Sequence, residues 1–511
     1  MNLIKNNLLK IILILVVIVS GVFCAYSISN NKAVVSSNIS SSSQRDFFQG
    51  EKNQWNGAGI QGNPNRGMRG DMAGTSSNSN VSTALFSYSV LFLGALAASL
   101  CFYKKTKLKI ESKNIKLILT CLLAAGLFLR ISIGLLTQGF STDLSLFRNW
   151  ALSAANNFTG FYSGTKTSDY PPLYIYVLFL VGKAMSFPTL SSYSVLLLKL
   201  PSILADIASA YLVYRIGKKY ISQELSMMIS VFYAFNPAVL VNSVFWGQVD
   251  SFFTMIVLTA VFLMTEGKIA LSSIVFTIGV LMKPQGIIYL PVLFFELVRQ
   301  RSIKNFIKAA VSAAITGLFV ILPFSFNQGI TWIFNLFSKT LGEYPYASVN
   351  GFNFFSLIGK NYTNDSETFF IFSYHVWGTM FIVLVTLFTW FIYIKGNRRE
   401  IIPLAALIQI AGVFTFSTRM HERYLFPAAA LAILAFIYLR DKRILILSII
   451  YSITIFMNTY YILYNTSGGM NNSSSGFTMF ITSLTNVAAF IYLAKAAIDI
   501  AVKKKTCLLK E

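Results

Sequence analysis

Acidic side chains are scarce in this chain of 511 residues. Only 19 aspartates and glutamates stand against 42 lysines and arginines, and the charged types together make up 12%. With 55% hydrophobic and 15% aromatic residues, a soluble protein of this length could not hide its apolar surface. That leaves an all-α polytopic membrane protein. The formal charge of +23 then reads as loop lysines and arginines kept on the cytoplasmic side, with no nucleic acid as partner. Cysteine is rare too. Cys24, Cys101 and Cys121 lie in or beside apolar segments and Cys507 in a basic tail, so no exterior pair stands ready for a disulfide.

Residues 1–28 read as a signal anchor or a cleaved signal peptide, with Ala25-Tyr26-Ser27 a passable cleavage site. Residues 29–82 are rich in Ser, Asn and Gly and are expected to be a disordered exterior segment. Residues 83–114 add one helix and a basic cytoplasmic loop, 115–498 form the main helical body, and 499–511 make a basic cytoplasmic tail. Placing the basic clusters inside gives about fourteen crossings. The short apolar run Leu173–Met185 is expected to lie in the membrane plane, because a crossing there would put Arg215, Lys218 and Lys219 outside. Asn236-Pro237 and Lys283-Pro284-Gln285 are expected to break their helices.

The same charge rule sends several distant polar groups to the exterior face. Asp143 falls in the first turn of a helix that Ser141 or Thr142 can cap, with Leu144, Phe147, Ala151 and Ala154 on one apolar side suited to the membrane surface. Asp169-Tyr170-Pro171-Pro172 follows, with Pro172 fit for the first position of the next helix. Trp246-Gly247-Gln248-Val249-Asp250, Lys283, and Arg419-Met420-His421-Glu422-Arg423 share that face, with Lys199 near the outer end of its helix. Each group has an ordinary use alone: arginines snorkel, Glu422 neutralises them, and Lys199 pairs with Asp206 one face along its helix. Together they mix several cations with a few carboxylates, which suits a phosphate on a lipid tail beside a base that takes a proton from an attacking hydroxyl. A phosphate leaves readily, so one carboxylate suffices where a glycosidase needs two.

In order and sidedness these motifs resemble the integral-membrane glycosyltransferases of the GT-C fold, over roughly residues 115–464. The similarity is greatest to the Gpi18-like mannosyltransferase branch, related to protein O-mannosyltransferases and aminoarabinose transferases. The resemblance implies a GT-C type bundle with juxtamembrane helices in the first exterior loop. It implies inverting transfer from a polyprenyl-phosphate sugar, mannose favoured, to an exterior acceptor glycan, lipid or protein, without cofactor or metal. Asp143 is then the expected catalytic base. Lys199, Lys283, Arg419, His421 and Arg423 are expected to hold the donor phosphate. Asp169, Tyr170, Trp246, Gln248, Asp250 and Glu422 are expected to hold sugar or acceptor. A lipid-linked sugar or polysaccharide transporter is the alternative, although no internal repeat or midplane row of charges supports it.

Overall fold

The computed structural model describes residues 2–41, 79–106, 110–163, 168–465 and 476–508. In chain order the helices are α1 (Asn2–Ser41), α2 (Ser79–Thr106), α3 (Ser112–Leu136), α4 (Ser141–Asn156), α5 (Pro172–Met185), α6 (Ser194–Gly217), α7 (Gln223–Ala234), α8 (Asp250–Thr265) and α9 (Ile269–Met282). They continue as α10 (Leu290–Gln300), α11 (Ile303–Ile321), α12 (Trp332–Gly342), α13 (Tyr374–Gly396), α14 (Ile402–Phe416), α15 (Pro427–Leu439), α16 (Lys442–Asn465) and α17 (Phe477–Ala501). Ten helical stretches among the described residues are long and apolar enough to cross a bilayer, accompanied by four shorter apolar helices. The protein is an all-α polytopic membrane protein, with one two-stranded hairpin, Thr368–Phe369 against Phe372–Ser373, among those residues.

The centre of the bundle is α14 and α15, buried along nearly their whole length. Such helices, apolar on every side, belong inside a bundle, and the alanines of Pro427-Ala428-Ala429-Ala430 let neighbours approach closely. At the perimeter α11 buries only Ala309 and Val320.

Both expected breaks are present. Asn236 caps a new helical turn by accepting from the Ala238 N–H at 3.0 Å. Lys283 ends α9, and a 3-10 turn over Pro284–Tyr289 leads into α10, whose 11 residues are too short to cross alone at about 1.5 Å each. Other expectations are corrected. The apolar side of α4 packs on α5, so close that a Cβ on Gly182 would collide with the Ala151 carbonyl. α1 runs on to Ser41 and α2 begins at Ser79, so the Ser/Asn-rich segment is helical at both edges. Its stretch 42–78, on which the expectation of disorder falls, lies outside the described residues.

Candidate functional site

Asp143 reaches its partners because two chain segments cross at atomic contact. Gly139 and Gly247 have φ of +79° and +88°, and a Cβ on either would run into the Leu144 side chain. Only glycine takes such backbone angles and such proximity without strain. The crossing is sealed by the Phe140 N–H donating to the Trp246 carbonyl at 2.8 Å. Phe140, not Ser141 or Thr142, is the N-cap of α4, and no side chain caps it.

Trp246 and Gln248 arrive from the broken helix, whose last turn, Val241–Trp246, is wound as a π-helix. A buried network holds that turn. Ser243 Oγ donates to Asp206 Oδ2 at 2.6 Å and Arg130 Nε donates to the same oxygen at 3.0 Å. Arg130 also donates to the Ala234 carbonyl at the end of α7. Ser202 Oγ holds the Gln248 carbonyl at 2.7 Å. Asp206 therefore pairs with Arg130 across helices instead of with Lys199 along its own.

One carboxylate oxygen of Asp143 takes every contact. Oδ2 accepts from Trp246 Nε1 at 2.7 Å and from Gln248 Nε2, and lies 3.5 Å from Arg423 Nη1. Oδ1 has no hydrogen-bond partner among the described residues. Arg423 stacks 4.7 Å above the Trp246 ring, its Nη1 is 2.5 Å from Glu422 Oε1, and its Nε is 3.7 Å from Asp250 Oδ2. Asp250 completes the group: Lys283 Nζ donates to its Oδ1 at 2.5 Å and Asn242 Nδ2 to its Oδ2 at 3.0 Å. Lys283 also lies 5.6 Å from the centre of the Tyr170 ring.

Asp143, Gln248, Asp250, Lys283, Glu422 and Arg423 thus meet in one place, with Trp246 and Tyr170 beside them. The remaining expected residues are placed differently. Lys199 gives its three protons to Thr137 O, Thr137 Oγ1 and Gly134 O at 2.6, 2.9 and 3.3 Å, closing the end of α3. Arg419 turns to Asp365 Oδ2 at 2.7 Å and the Leu341 carbonyl at 2.9 Å. The His421 ring stands edge-on to Tyr344, 4.7 Å between centres. The Trp246 ring, buried between Arg423 and Phe140, offers no open face for a sugar to stack on. Asn242, Asp365, Lys339 and Glu343 join the surroundings without any motif to announce them.

Burial shapes the charges at this rim. It raises the carboxyl of Asp169, reinforced by nearby Asp143 against Lys283 and Lys339, and that of Glu343, reinforced by Asp169. It raises Glu422, with Arg423 opposing. His421 is pushed down to about 3 by burial, helped by Arg423 and Lys283, and stays neutral. Burial also works against the charge of Arg423, but Glu422, Asp143 and Asp250 outweigh it and raise its pKa.

A cleft of about 410 Å³ opens beside the group. His421, Arg419 and Tyr344 line it together with apolar Ile287, Ile382 and Val413, and Thr386 and Gln409 add polar groups from α13 and α14. The class this defines is a multi-pass membrane protein with a buried mixed-charge site at one end of the bundle and a cleft beside it, which Pro284, His421 and Tyr424, chain neighbours of Lys283, Glu422 and Arg423, help to line.

Residues 136–348 match a family model described as GPI transamidase subunit PIG-U. The matched part carries Asp143, the π-turn, Asp250 and Lys283, and ends before Arg423. No curated protein matches the chain.

Proposed function

We propose that the protein moves a hexose, mannose favoured, from a polyprenyl-phosphate sugar to an acceptor hydroxyl on the exterior face of the membrane. The observation that carries the reading is the asymmetry of Asp143: one oxygen is anchored by two hydrogen bonds and the Arg423 ion pair, and the other is left for a proton. The acceptor hydroxyl gives its proton to Asp143 Oδ1 as its oxygen bonds to the anomeric carbon. The bond from that carbon to the phosphate oxygen breaks on the opposite side, and its electron pair leaves with the phosphate, inverting the centre. Arg423 and Lys283 stabilise the departing charge, and the lipid tail lies in the groove between α13 and α14. Asp169, Tyr170 and Glu422 contact sugar or acceptor, while Gln248, Trp246 and Asp250 orient Asp143, Arg423 and Lys283. Residues 115–498 are the catalytic domain in this reading, with 83–114 an added helix and loop and 499–511 a cytoplasmic tail.

The similarity to a transamidase subunit favours a second reading, in which the same site holds a glycosylated lipid for another protein and transfers nothing. Vesicles loaded with radiolabelled polyprenyl-phosphate mannose or glucose separate the two. Transfer of label to a second molecule, reduced about 10²–10⁴-fold in Asp143→Asn, supports the enzyme. Binding without transfer supports the subunit, and label that only changes leaflet means a transporter.

A further inference from the structure

Between α11 and the site, α12 has three different sides. Trp332, Leu336 and Thr340 face inward: the Trp332 ring packs 5.0 Å from Tyr162, its Nε1 donates to Ser325 Oγ at 3.1 Å, and Thr340 Oγ1 donates to the Asp169 carbonyl at 2.9 Å. Asn335, Ser338 and Lys339 make a second, polar side. On the third, Ile330 stands in the turn just before the helix, and Phe334 and Leu341, seven residues apart, share one side of it. They are 98%, 74% and 52% exposed.

A second exposed apolar stripe precedes it in the chain. Ile307, Val311, Ile315 and Phe319 run along the outer side of α11, which belongs to a stretch long and apolar enough to cross a bilayer, and Phe326 and Ile330 are exposed in the connection to α12. Ile330 follows the end of that span at Phe324 by six residues, a reach of at most about 20 Å. A second apolar point stands across the cleft. The hairpin turn before α13 exposes Phe370 and Ile371, at 82% and 79%.

We propose that α12 lies in the surface of the bilayer with Ile330, Phe334 and Leu341 among the lipids, and that Phe370–Ile371 is a second immersed point. The cleft, whose lining includes Thr340 and Leu341 on one side and His375 on the other, then opens into lipid between two anchors. A helix polar on one side, apolar on the next and packed on the third fits the boundary between water, acyl chains and protein. The immersion is tied to the site, because Arg419 donates to the Leu341 carbonyl at 2.9 Å and Thr340 holds the Asp169 backbone. That a lipid-linked phosphate enters by this opening rests on the proposed function; the immersion does not.

The test uses the full chain in nanodiscs, with Cys24, Cys101, Cys121 and Cys507 replaced by serine and one new cysteine at position 334, 338 or 370, each labelled with bimane. Labels at 334 and 370 should be quenched several-fold more by lipids bearing a shallow nitroxide than the label at 338, and shielded from a water-soluble quencher. A 334 label that behaves like the 338 label overturns the proposal. So does a 334 label that neither quencher reaches, the result expected if a protein or a second copy covers the stripe. These signals read the same whether or not sugar is transferred. Loss of transfer in Phe334→Asp, with vesicle insertion intact, would join the anchor to the reaction.

Discussion

Arg423 is the residue through which the site holds together. Its guanidinium meets Glu422, Asp143 and Asp250 and covers the Trp246 ring, a fork no single-point cation could replace. His421 lies close by but carries no charge. With a folded pKa near 3 and an unfolded value of about 6.5, acidification below 6.5 protonates the unfolded chain first. The neutral ring therefore contributes stability that is present above about 6.5 and is lost as pH falls toward 3. The melting temperature of the protein in detergent should accordingly drop less between pH 7 and 5 in His421→Gln than in the parent. An equal drop would mean His421 is protonated in the folded protein. Composition and charge sidedness singled out nearly all of these residues, but not their partners. Lys199 and Asp206 sit seven apart on α6, and the chain alone gave no sign that Arg130 of α3 and the Thr137 carbonyl claim them instead.

At the scale of elements, the broken helix decides where Asp143 finds its donors. Proline announced the interruptions at Asn236 and Lys283, so both were legible. The π-turn was not, since it depends on Ser243 meeting an aspartate from another helix. α12 was missed because its apolar residues serve two different sides. An ion pair buried this deeply is costly to keep, and its position gives the reason it is there, since Arg130 and Asp206 fix the two ends of the break. Ser243→Ala should therefore lower transfer at saturating donor, leave donor binding nearly intact, and be rescued by Ser243→Thr. With 5-fluorotryptophan in the protein, it should move the Trp246 ¹⁹F resonance and spare that of Trp390. Gly247→Ala should be harsher, because it combines a left-handed backbone with the Leu144 contact. A loss of roughly 1–3 kcal/mol is expected, read as a lower melting temperature.

For the whole molecule, the two ends carry different work. One end ties its charges off in compact clusters: Glu296 with Arg299 and Arg399, and Asp441 with Arg443 and, through it, Asp499. The other end pairs its cations too, but beside an open cleft. The last two helices roof that end, because Asn458 Nδ2 donates to the Asn350 carbonyl at 2.8 Å and its Oδ1 accepts from the Phe352 N–H at 2.9 Å, while Asn486 Nδ2 donates to the Phe352 carbonyl at 2.8 Å. These tethers lie beyond the matched stretch 136–348. Asn458→Ala leaves buried backbone groups unmet, at about 1–3 kcal/mol each. Faster protease cleavage within 343–365 should report it, and unchanged cleavage would show that the roof is held otherwise.

The pairing of Lys283 with Asp250 and of Arg423 with Glu422 has a consequence for how an anion could arrive. Both cations already hold the protein's own acids, so an anion that reaches them arrives by exchange of one negative group for another. A stray sulfate or chloride must evict the same tenants, so weakly held anions are kept out.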